Sequence, residues 1–444
     1  MKTGLALKKY LMLSSASRTA MQNGCCASDH PKSSAGSLQQ QTCVLSWEHR
    51  DISVGIEKSR AANRLSRMWC AHRANGKFSP AKGNGLSNLE EPEMEALTAK
   101  GHDVRGDIRD DEEAVYLMDH PDSDEEIPTL DIAAYLSGQP GARERVAAQL
   151  RDISKTVGFF YLKGHGIPSD LIDRVFGESR RFHALPIETK RAIPYFDTGS
   201  FRSGYQPSFK DEYQNTNINI IANAKPNLVA RFSINREGGS GGLSMTDEER
   251  RARVNIWPEN LPGFKETLSD YHARIEKLGR QFLPLWATSL KLSSDYFEKF
   301  FATPHLTMSL LYYPPQEQVG DRQYGIAPHT DNAMMTFLAQ KDISGLAVRM
   351  PSGHWRAVEP VPGTLIVNTG NLIVRWTNDQ YLSTKHRVIN TNTVDRYSIP
   401  VFFGPSGDAL IEVLPTCRGP ERPALYEPIT YLQLRKWYYG PRKS

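Results

Sequence analysis

Cysteine is scarce in this chain: five occur in 444 residues, and four of them, Cys25, Cys26, Cys43 and Cys70, lie before residue 71. Cys417 alone is left for the rest, so no internal disulfide framework is available there, and a reducing compartment, the cytoplasm, is expected. Cys25 and Cys26 are adjacent rather than spaced as C-x-x-C, which argues against a zinc site. No run of 18 or more apolar residues occurs, so no bilayer span is expected. Internal repeats are also missing, which excludes solenoids and propellers. Aromatic residues are thin at the start: only Tyr10, Trp47, Trp69, Phe78 and Tyr116, of 42 in all, precede residue 127. With 39% hydrophobic residues the chain is nevertheless too apolar to be disordered throughout, and its length allows two or three domains.

Charge divides the chain at the same place. Residues 1–82 hold 13 Lys/Arg against 4 Asp/Glu, a net of +9, and residues 83–126 hold 3 against 15, a net of −12. The overall +4 is thus a near-cancellation that says little about partners. Blocky charge without aromatics buries little, so residues 1–126 read as a mostly disordered leader. Its first acid is Asp29, and Lys2, Lys8, Lys9 and Arg18 precede it among several Ser. That composition makes mitochondrial delivery the alternative to the cytoplasm, although the helical face is poor. Lys8 and Lys9 interrupt the only apolar stretch, so a secretory signal is not expected. The basic block could touch phosphates, but few aromatics and a following acidic block predict no specific nucleic-acid binding.

From residue 127 the pattern is that of a folded unit, with helices first and strands later. Ile127–Asp131 and Gly158–Leu162 read as strands, and residues 142–155 and a segment after Pro168 as helices with apolar residues at helical spacing. Residues 264–300 read as a long helix-rich stretch that Pro284 should kink or divide. Between them, residues 202–262 look irregular and polar, a long loop that is either functional or mobile. After Pro304, short runs alternate with Gly/Pro turns: Thr307–Tyr313, Met335–Ala339, Leu346–Met350, Thr364–Asn368, Lys385–Ile389, Ser398–Phe403 and Leu410–Val413. Many short strands with such turns predict a sandwich or jelly roll. The fold class expected is α+β with a mainly β core, helix-rich over 127–300 and jelly roll over 301–444.

Chemistry is carried by one of three His-x-Asp pairs. On a strand, residues two apart share a face about 7 Å apart at Cα, so both side chains reach one metal ion. Two imidazoles and a carboxylate on one octahedral face leave three positions open, the facial triad of non-haem Fe(II) oxygenases. His49-Arg-Asp51 lies in the leader with no strand pattern to orient it, although His102 follows at a tolerable distance, and His120-Pro-Asp122 suits a turn in an acidic run. His329-Thr-Asp331 precedes a buried strand, His386 follows in another, and Arg396-Tyr-Ser398 opens the next. Arg396 and Ser398 share a strand face, where a guanidinium and a hydroxyl can clamp a carboxylate.

Taken together, His-x-Asp…His…Arg-x-Ser resembles the 2-oxoglutarate and Fe(II)-dependent dioxygenases, in the group similar to isopenicillin N synthase. Residues 127–440 carry the likeness. Val157–Pro168 resembles the family's N-terminal helical region, and Leu311-Tyr-Tyr-Pro-Pro315 the strand that supplies a cosubstrate-binding Tyr. The resemblance implies a double-stranded β-helix flanked by helices. It implies Fe(II) on His329, Asp331 and His386, and 2-oxoglutarate held by Arg396, Ser398 and Tyr313, with O₂ as oxidant and ascorbate as support. Leu311 stands where many plant relatives have Asn, so one polar contact is missing. The reaction implied is oxidative decarboxylation to succinate and CO₂, coupled to hydroxylation, desaturation or ring closure of a small organic molecule, as in secondary metabolism.

Arg202, Tyr205, Arg231 and Arg375 are the candidates for substrate contact. Two other readings share the motif. One is an oxidase that uses Fe(II) and O₂ without 2-oxoglutarate, where Arg-x-Ser binds a substrate carboxylate. The other is a non-catalytic binding protein on the same barrel. Neither the substrate nor the oligomeric state is legible in the sequence.

Overall fold

The computed structural model describes residues 125–208, 226–238, 245–316, 323–389 and 393–439. The leader's basic and acidic blocks, with His49, Asp51, His102, His120 and Asp122, lie outside the described residues. Eight helices are described: α1 Ala133–Leu136, α2 Ala142–Thr156, α3 Ser169–His183, α4 Ile187–Arg191, α5 Asp247–Arg253, α6 Phe264–Ser289, α7 Asn371–Trp376 and α8 Tyr431–Tyr439. The strands are β1 Thr129–Asp131, β2 Phe159–Lys163, β3 Phe196–Asp197, β4 Arg202–Gln206, β5 Ala230–Asn235, β6 His305–Tyr313, β7 Ile326–His329 and β8 Met335–Gln340. They continue as β9 Leu346–Arg349, β10 Trp355–Ala357, β11 Thr364–Thr369, β12 His386–Val388, β13 Arg396–Gly404, β14 Leu410–Ile411 and β15 Ile429–Thr430.

Nine strands form one sheet in the order β1-β2-β11-β8-β13-β6-β5-β4-β3, and four form a second, β10-β9-β12-β7. The large sheet is covered on both faces, which its strands' two-residue period makes explicit. Leu306, Met308 and Leu310 of β6, Met335, Phe337 and Ala339 of β8, and Ile399, Val401 and Phe403 of β13 join one apolar cluster with Leu268, Tyr271, Ile275 and Phe282 of α6. The intervening positions of the same strands face the small sheet. There Phe159, Leu311, Tyr313 and Ile366 pack with Leu346, Val348 and Val388 in a second cluster. This is a jelly roll whose outer face carries the helical layer. Several inward positions hold polar residues, Ser309, Thr336, Asn368, Arg396 and Ser398, all buried. Buried polar side chains need partners, so such a face marks a site rather than a core.

Two expectations are corrected. The stretch 202–262 is not all loop: it holds β4, β5 and α5, the last opened by a Thr246–Glu249 capping box. Its strands escaped notice because their inward residues, Arg202, Gln206 and Arg231, are polar and break the apolar alternation. Gly204 lies in β4 at φ +89, where a Cβ would stand 1.8 Å from the Pro194 carbonyl oxygen, so only glycine fits. Pro284 neither ends nor divides α6, which runs on to Ser289 and stops short of residue 300. Proline removes one helical hydrogen bond at roughly 3 kcal/mol. Phe282, Leu283, Leu285 and Trp286 on either side are buried at 0–2% exposure, and that packing outweighs the loss.

The helical layer has a pH-dependent element. Burial pushes the rings of His183 and His272 down, to about 3 and about 4, and His183 Nε2 lies 3.2 Å from the Leu310 carbonyl oxygen. Both rings stay neutral in the fold, whereas the unfolded chain takes up protons near ~6.5. Below that pH the unfolded state therefore binds more protons, and stability falls with falling pH until the folded values are reached. A loss of ~2 kcal/mol per histidine is expected between pH 7 and pH 5. Denaturant midpoints at the two pH values should show it, with a shallower dependence for His183→Phe. An undiminished slope in that variant contradicts the assignment. Among the described residues no helix is long and apolar enough to cross a membrane.

Candidate active site and metal centre

The small sheet brings the metal-ligand candidates together. β7 and β12 are antiparallel, with His329 and His386 directly opposite one another. The two rings lie 4.2 Å apart at their centroids. Asp331 follows just past the end of β7, not on the strand itself, and its Oδ1 is 3.8 Å from Nε2 of each histidine. One ligand atom from each of the three lies within 4.8 Å of the others. Nδ1 of His329 sits 2.9 Å from the Ala327 carbonyl oxygen, and Nδ1 of His386 sits 3.1 Å from that of Thr384. Each ring thus donates through Nδ1 and turns an Nε2 lone pair toward the centre, the arrangement of metal-bound histidine. Burial and the nearby His386 push the His329 ring down to about 4, so it is neutral at pH 7. Burial acts to raise the Asp331 carboxyl, but the two rings and the hydrogen bonds from Asn368 and Thr336 leave it below the usual range.

The second oxygen of Asp331 is held from behind. Oδ2 accepts from Thr336 Oγ1 at 2.6 Å and from Asn368 Nδ2 at 2.8 Å. These donors come from β8 and β11, where Thr336 and Asn368 are direct cross-strand partners. One residue group further on, Asn371 Nδ2 reaches Thr330 Oγ1 and Asn332 Oδ1, and its backbone NH donates to the Asp331 carbonyl at 2.7 Å. Gly370 permits the approach, since a Cβ there would stand 2.2 Å from the Ala333 carbonyl oxygen. Asp331 therefore presents Oδ1 alone to the histidines. Replacing both Thr336 by Val and Asn368 by Ala should weaken Mn(II) binding about 10- to 100-fold, with Thr336→Ser largely tolerated. An unchanged Mn(II) titration in the double variant would rule out this support.

Arg396, Ser398 and Tyr313 face the same interior. Arg396 is opposite Tyr313 in the β13–β6 ladder, and Ser398 is opposite Leu311. All three are almost fully buried, at 1–2% exposure. The Arg396 guanidinium lies over the Tyr313 ring at 4.7 Å, and its Nε donates to the Ile343 carbonyl at 3.2 Å. Its Nη1 is buried with no hydrogen-bond partner. An unsatisfied buried guanidinium NH costs about 1–3 kcal/mol or more, so the position fits an anionic ligand rather than packing.

A cavity of about 190 Å³ opens on His329 and Asp331 of the triad and is lined also by Leu311, Phe402, Arg202, Arg231 and Tyr439. Of the four substrate candidates, it takes in Arg202 and Arg231 and leaves out Tyr205 and Arg375. The strand period explains the first omission: Arg202 and Tyr205 are three apart in β4, so they point to opposite faces. Tyr205 packs with Phe182 at 5.7 Å in the helical layer. Arg375, on α7, stacks over Tyr426 at 4.9 Å and donates to the Glu427 carbonyl. The sequence reading missed Thr336, Asn368, Asn371 and Tyr439. For the first two a signal existed, a polar residue within the apolar part of a strand, Thr336 between Met335 and Phe337 and Asn368 after Val367.

A jelly roll with an inward His/Asp/His triad and a buried arginine beside it defines a non-haem iron oxygenase. Comparison with known proteins agrees. The profile of the 2OG-Fe(II) oxygenase superfamily matches residues 304–405, and that of the N-terminal region of non-haem dioxygenases in morphine synthesis matches residues 127–260. The chain is 34% identical over 310 residues to a 2-oxoglutarate-Fe(II) type oxidoreductase, hxnY, of Emericella nidulans, covering 68% of this chain and 86% of that one. It is 33% identical over 308 residues to a homoarginine-6-hydroxylase of Glycine max, covering 65% and 88%. The crystal structure of a full-length Neurospora crassa protein in complex with alpha-KG and thymine superposes with a TM-score of 0.61 at 28% identity, covering 70% of this chain and 95% of that one. The chain belongs to the 2-oxoglutarate- and Fe(II)-dependent oxygenase superfamily. It is an oxidoreductase of the dioxygenase type, with Fe(II) as its metal and 2-oxoglutarate and O₂ as cosubstrates.

Proposed function

We propose that the catalytic unit spans residues 127–444 and oxidises a small organic molecule seated in the cavity beside the triad. His329, Asp331 and His386 hold the iron, and Arg396, Ser398 and Tyr313 hold 2-oxoglutarate. The observation that carries the cosubstrate assignment is the buried, unpartnered Nη1 of Arg396 on the face shared with Ser398. Bound iron supplies activation of O₂ at the expense of 2-oxoglutarate, which leaves as succinate and CO₂.

The chain's own residues bind, orient and exclude water. The carbonyls of Ala327 and Thr384 fix both histidine tautomers. Thr336 and Asn368 occupy Oδ2 of Asp331, so that Oδ1 alone would be offered to a metal beside the two histidines. The Arg396 fork takes the distal carboxylate with the Ser398 hydroxyl beside it. Leu311, Pro400 and Phe402 give the substrate an apolar wall. A small-molecule substrate is supported by the relatives: one neighbour holds thymine, and another relative is named a homoarginine hydroxylase.

The test is a metabolite panel assayed with Fe(II), ascorbate, O₂ and 2-oxoglutarate. Expected is slow succinate formation without substrate and a rise, equal to product formed, with the right one. Oxygen uptake with a substrate but without succinate would instead establish an oxidase independent of 2-oxoglutarate.

A further inference from the structure

The reading above gives 2-oxoglutarate a buried guanidinium to meet, and the backbone around Arg396 fixes where that guanidinium stands. Two buried glycines, each just ahead of a strand of the small sheet, come close to the clamp. Gly345 precedes β9, and a Cβ there would stand 3.0 Å from Arg396 Nε, 3.1 Å from its Cδ and 3.1 Å from the Ile389 carbonyl oxygen. Gly325 precedes β7, and a Cβ there would stand 2.9 Å from Tyr313 Cδ1 and 3.0 Å from Val388 Cγ1. Ordinary van der Waals contact for a Cβ starts at 3.4 Å, so a side chain at either place displaces its neighbours. Glycine is needed here for close approach.

The same two glycines are tied to the strand that carries His386. The Gly325 NH donates to the Val388 carbonyl at 2.8 Å, and the Ile389 NH donates to the Gly345 carbonyl at 2.9 Å. In β12, His386 is opposite His329 of β7 and Val348 of β9, and Val388 is opposite Ile326 and Leu346. Val388 is two residues beyond His386, roughly 7 Å along the strand. The end of the metal-ligand strand is therefore bonded to both glycines, and both glycines press on the clamp. From the large sheet, Arg396 is the cross-strand partner of Tyr313 and lies over its ring at 4.7 Å, while its Nε donates to the Ile343 carbonyl at 3.2 Å. A flexible side chain bounded by that carbonyl, that ring and Gly345 presents its fork at one depth, with Nη1 still unpartnered.

We infer that Gly345 and Gly325 are positioning residues that set the distance from the triad to the Arg396 fork, and so select a 2-oxo diacid of five carbons over a longer one. The inference rests on the cosubstrate reading above. A guanidinium grips a carboxylate through two parallel hydrogen bonds, and both must be in line. A Cβ at position 345 moves the fork by a few tenths of an ångström and removes no charge. The loss then falls on ligands that reach the fork and spares those that end short of it.

The experiment uses the full chain loaded with Mn(II) and reads binding by calorimetry, not turnover. Three ligands share the metal-chelating end: 2-oxoglutarate, 2-oxoadipate, which is one carbon longer, and 2-oxovalerate, which has no distal carboxylate. The unaltered protein should bind 2-oxoglutarate about tenfold or more tightly than either of the others. Gly345→Ala should weaken 2-oxoglutarate by about tenfold and narrow its lead over 2-oxoadipate, while 2-oxovalerate and Mn(II) change by less than about threefold. Gly325→Ala should narrow the same lead through Tyr313. A merely structural role would weaken all three ligands alike, and that result overturns the inference, as does an undiminished lead of 2-oxoglutarate in either variant. 2-Oxoadipate bound by the unaltered protein as tightly as 2-oxoglutarate overturns it without need of a folded variant. 2-Oxovalerate bound by the unaltered protein as tightly as 2-oxoglutarate would instead refute the Arg396 clamp itself, and the inference falls with it.

Discussion

Asp331→Ala protein should retain no stoichiometric iron after reconstitution and desalting, and its 2-oxoglutarate-dependent turnover should fall by roughly a thousandfold or more. The two histidines alone offer neutral donors at one edge of the site. The carboxylate supplies the only negative charge among the three proposed ligands, and its Oδ1 lies 3.8 Å from each Nε2. The fold should survive, because the strands that frame the site are held by apolar packing on both faces of the large sheet. Removing the carboxylate leaves the Thr336 hydroxyl and Asn368 amide without their acceptor, at roughly 1–3 kcal/mol each, so some loss of thermal stability should accompany the loss of metal. Iron analysis and circular dichroism on the same preparation separate the two effects. Iron bound at wild-type stoichiometry in the variant would remove Asp331 from the metal centre.

Arg396→Leu should act on the cosubstrate and spare the metal. Truncating one partner of a buried, hydrogen-bonded charge pair costs about 2–5 kcal/mol. At about 1.4 kcal/mol per tenfold, the apparent requirement for 2-oxoglutarate should rise by roughly 30-fold to over a thousandfold. The iron requirement should change by less than about threefold, since Arg396 makes no contact with the triad among the described interactions. Leucine fills the space beside Tyr313 without a charge to desolvate, so the free protein should be no less stable. An unchanged 2-oxoglutarate requirement in this variant would contradict the clamp, whatever its effect on maximal rate.

The proposed metal set could be singled out by its His-x-Asp…His motif, although Asp331 lies just past β7 rather than on a strand beside His329. His329 and Asp331 are two apart, His386 begins β12, and Arg396 and Ser398 share a face of β13, and the structure brings the first three together within 4.8 Å. The jelly roll was legible because Gly/Pro turns punctuate most of the short apolar runs after Pro304. What stayed hidden depends on register between strands distant in sequence. Thr336 and Asn368 meet Asp331 only because β8 and β11 are neighbours. Tyr205 and Arg375 looked like site residues by composition, but one faces the helical layer and the other is fixed on Tyr426 and Glu427. At Pro284 the expected division does not occur, since the helix continues between buried neighbours.

The most direct test of the account is the stoichiometry of labelled CO₂ release from C1-labelled 2-oxoglutarate by the iron-loaded protein, with and without a substrate found in the metabolite panel. The account requires one CO₂ and one succinate per product molecule, with release lost in Asp331→Ala and regained in Arg396→Leu only at high 2-oxoglutarate. Product formed with O₂ but without labelled CO₂ would contradict it.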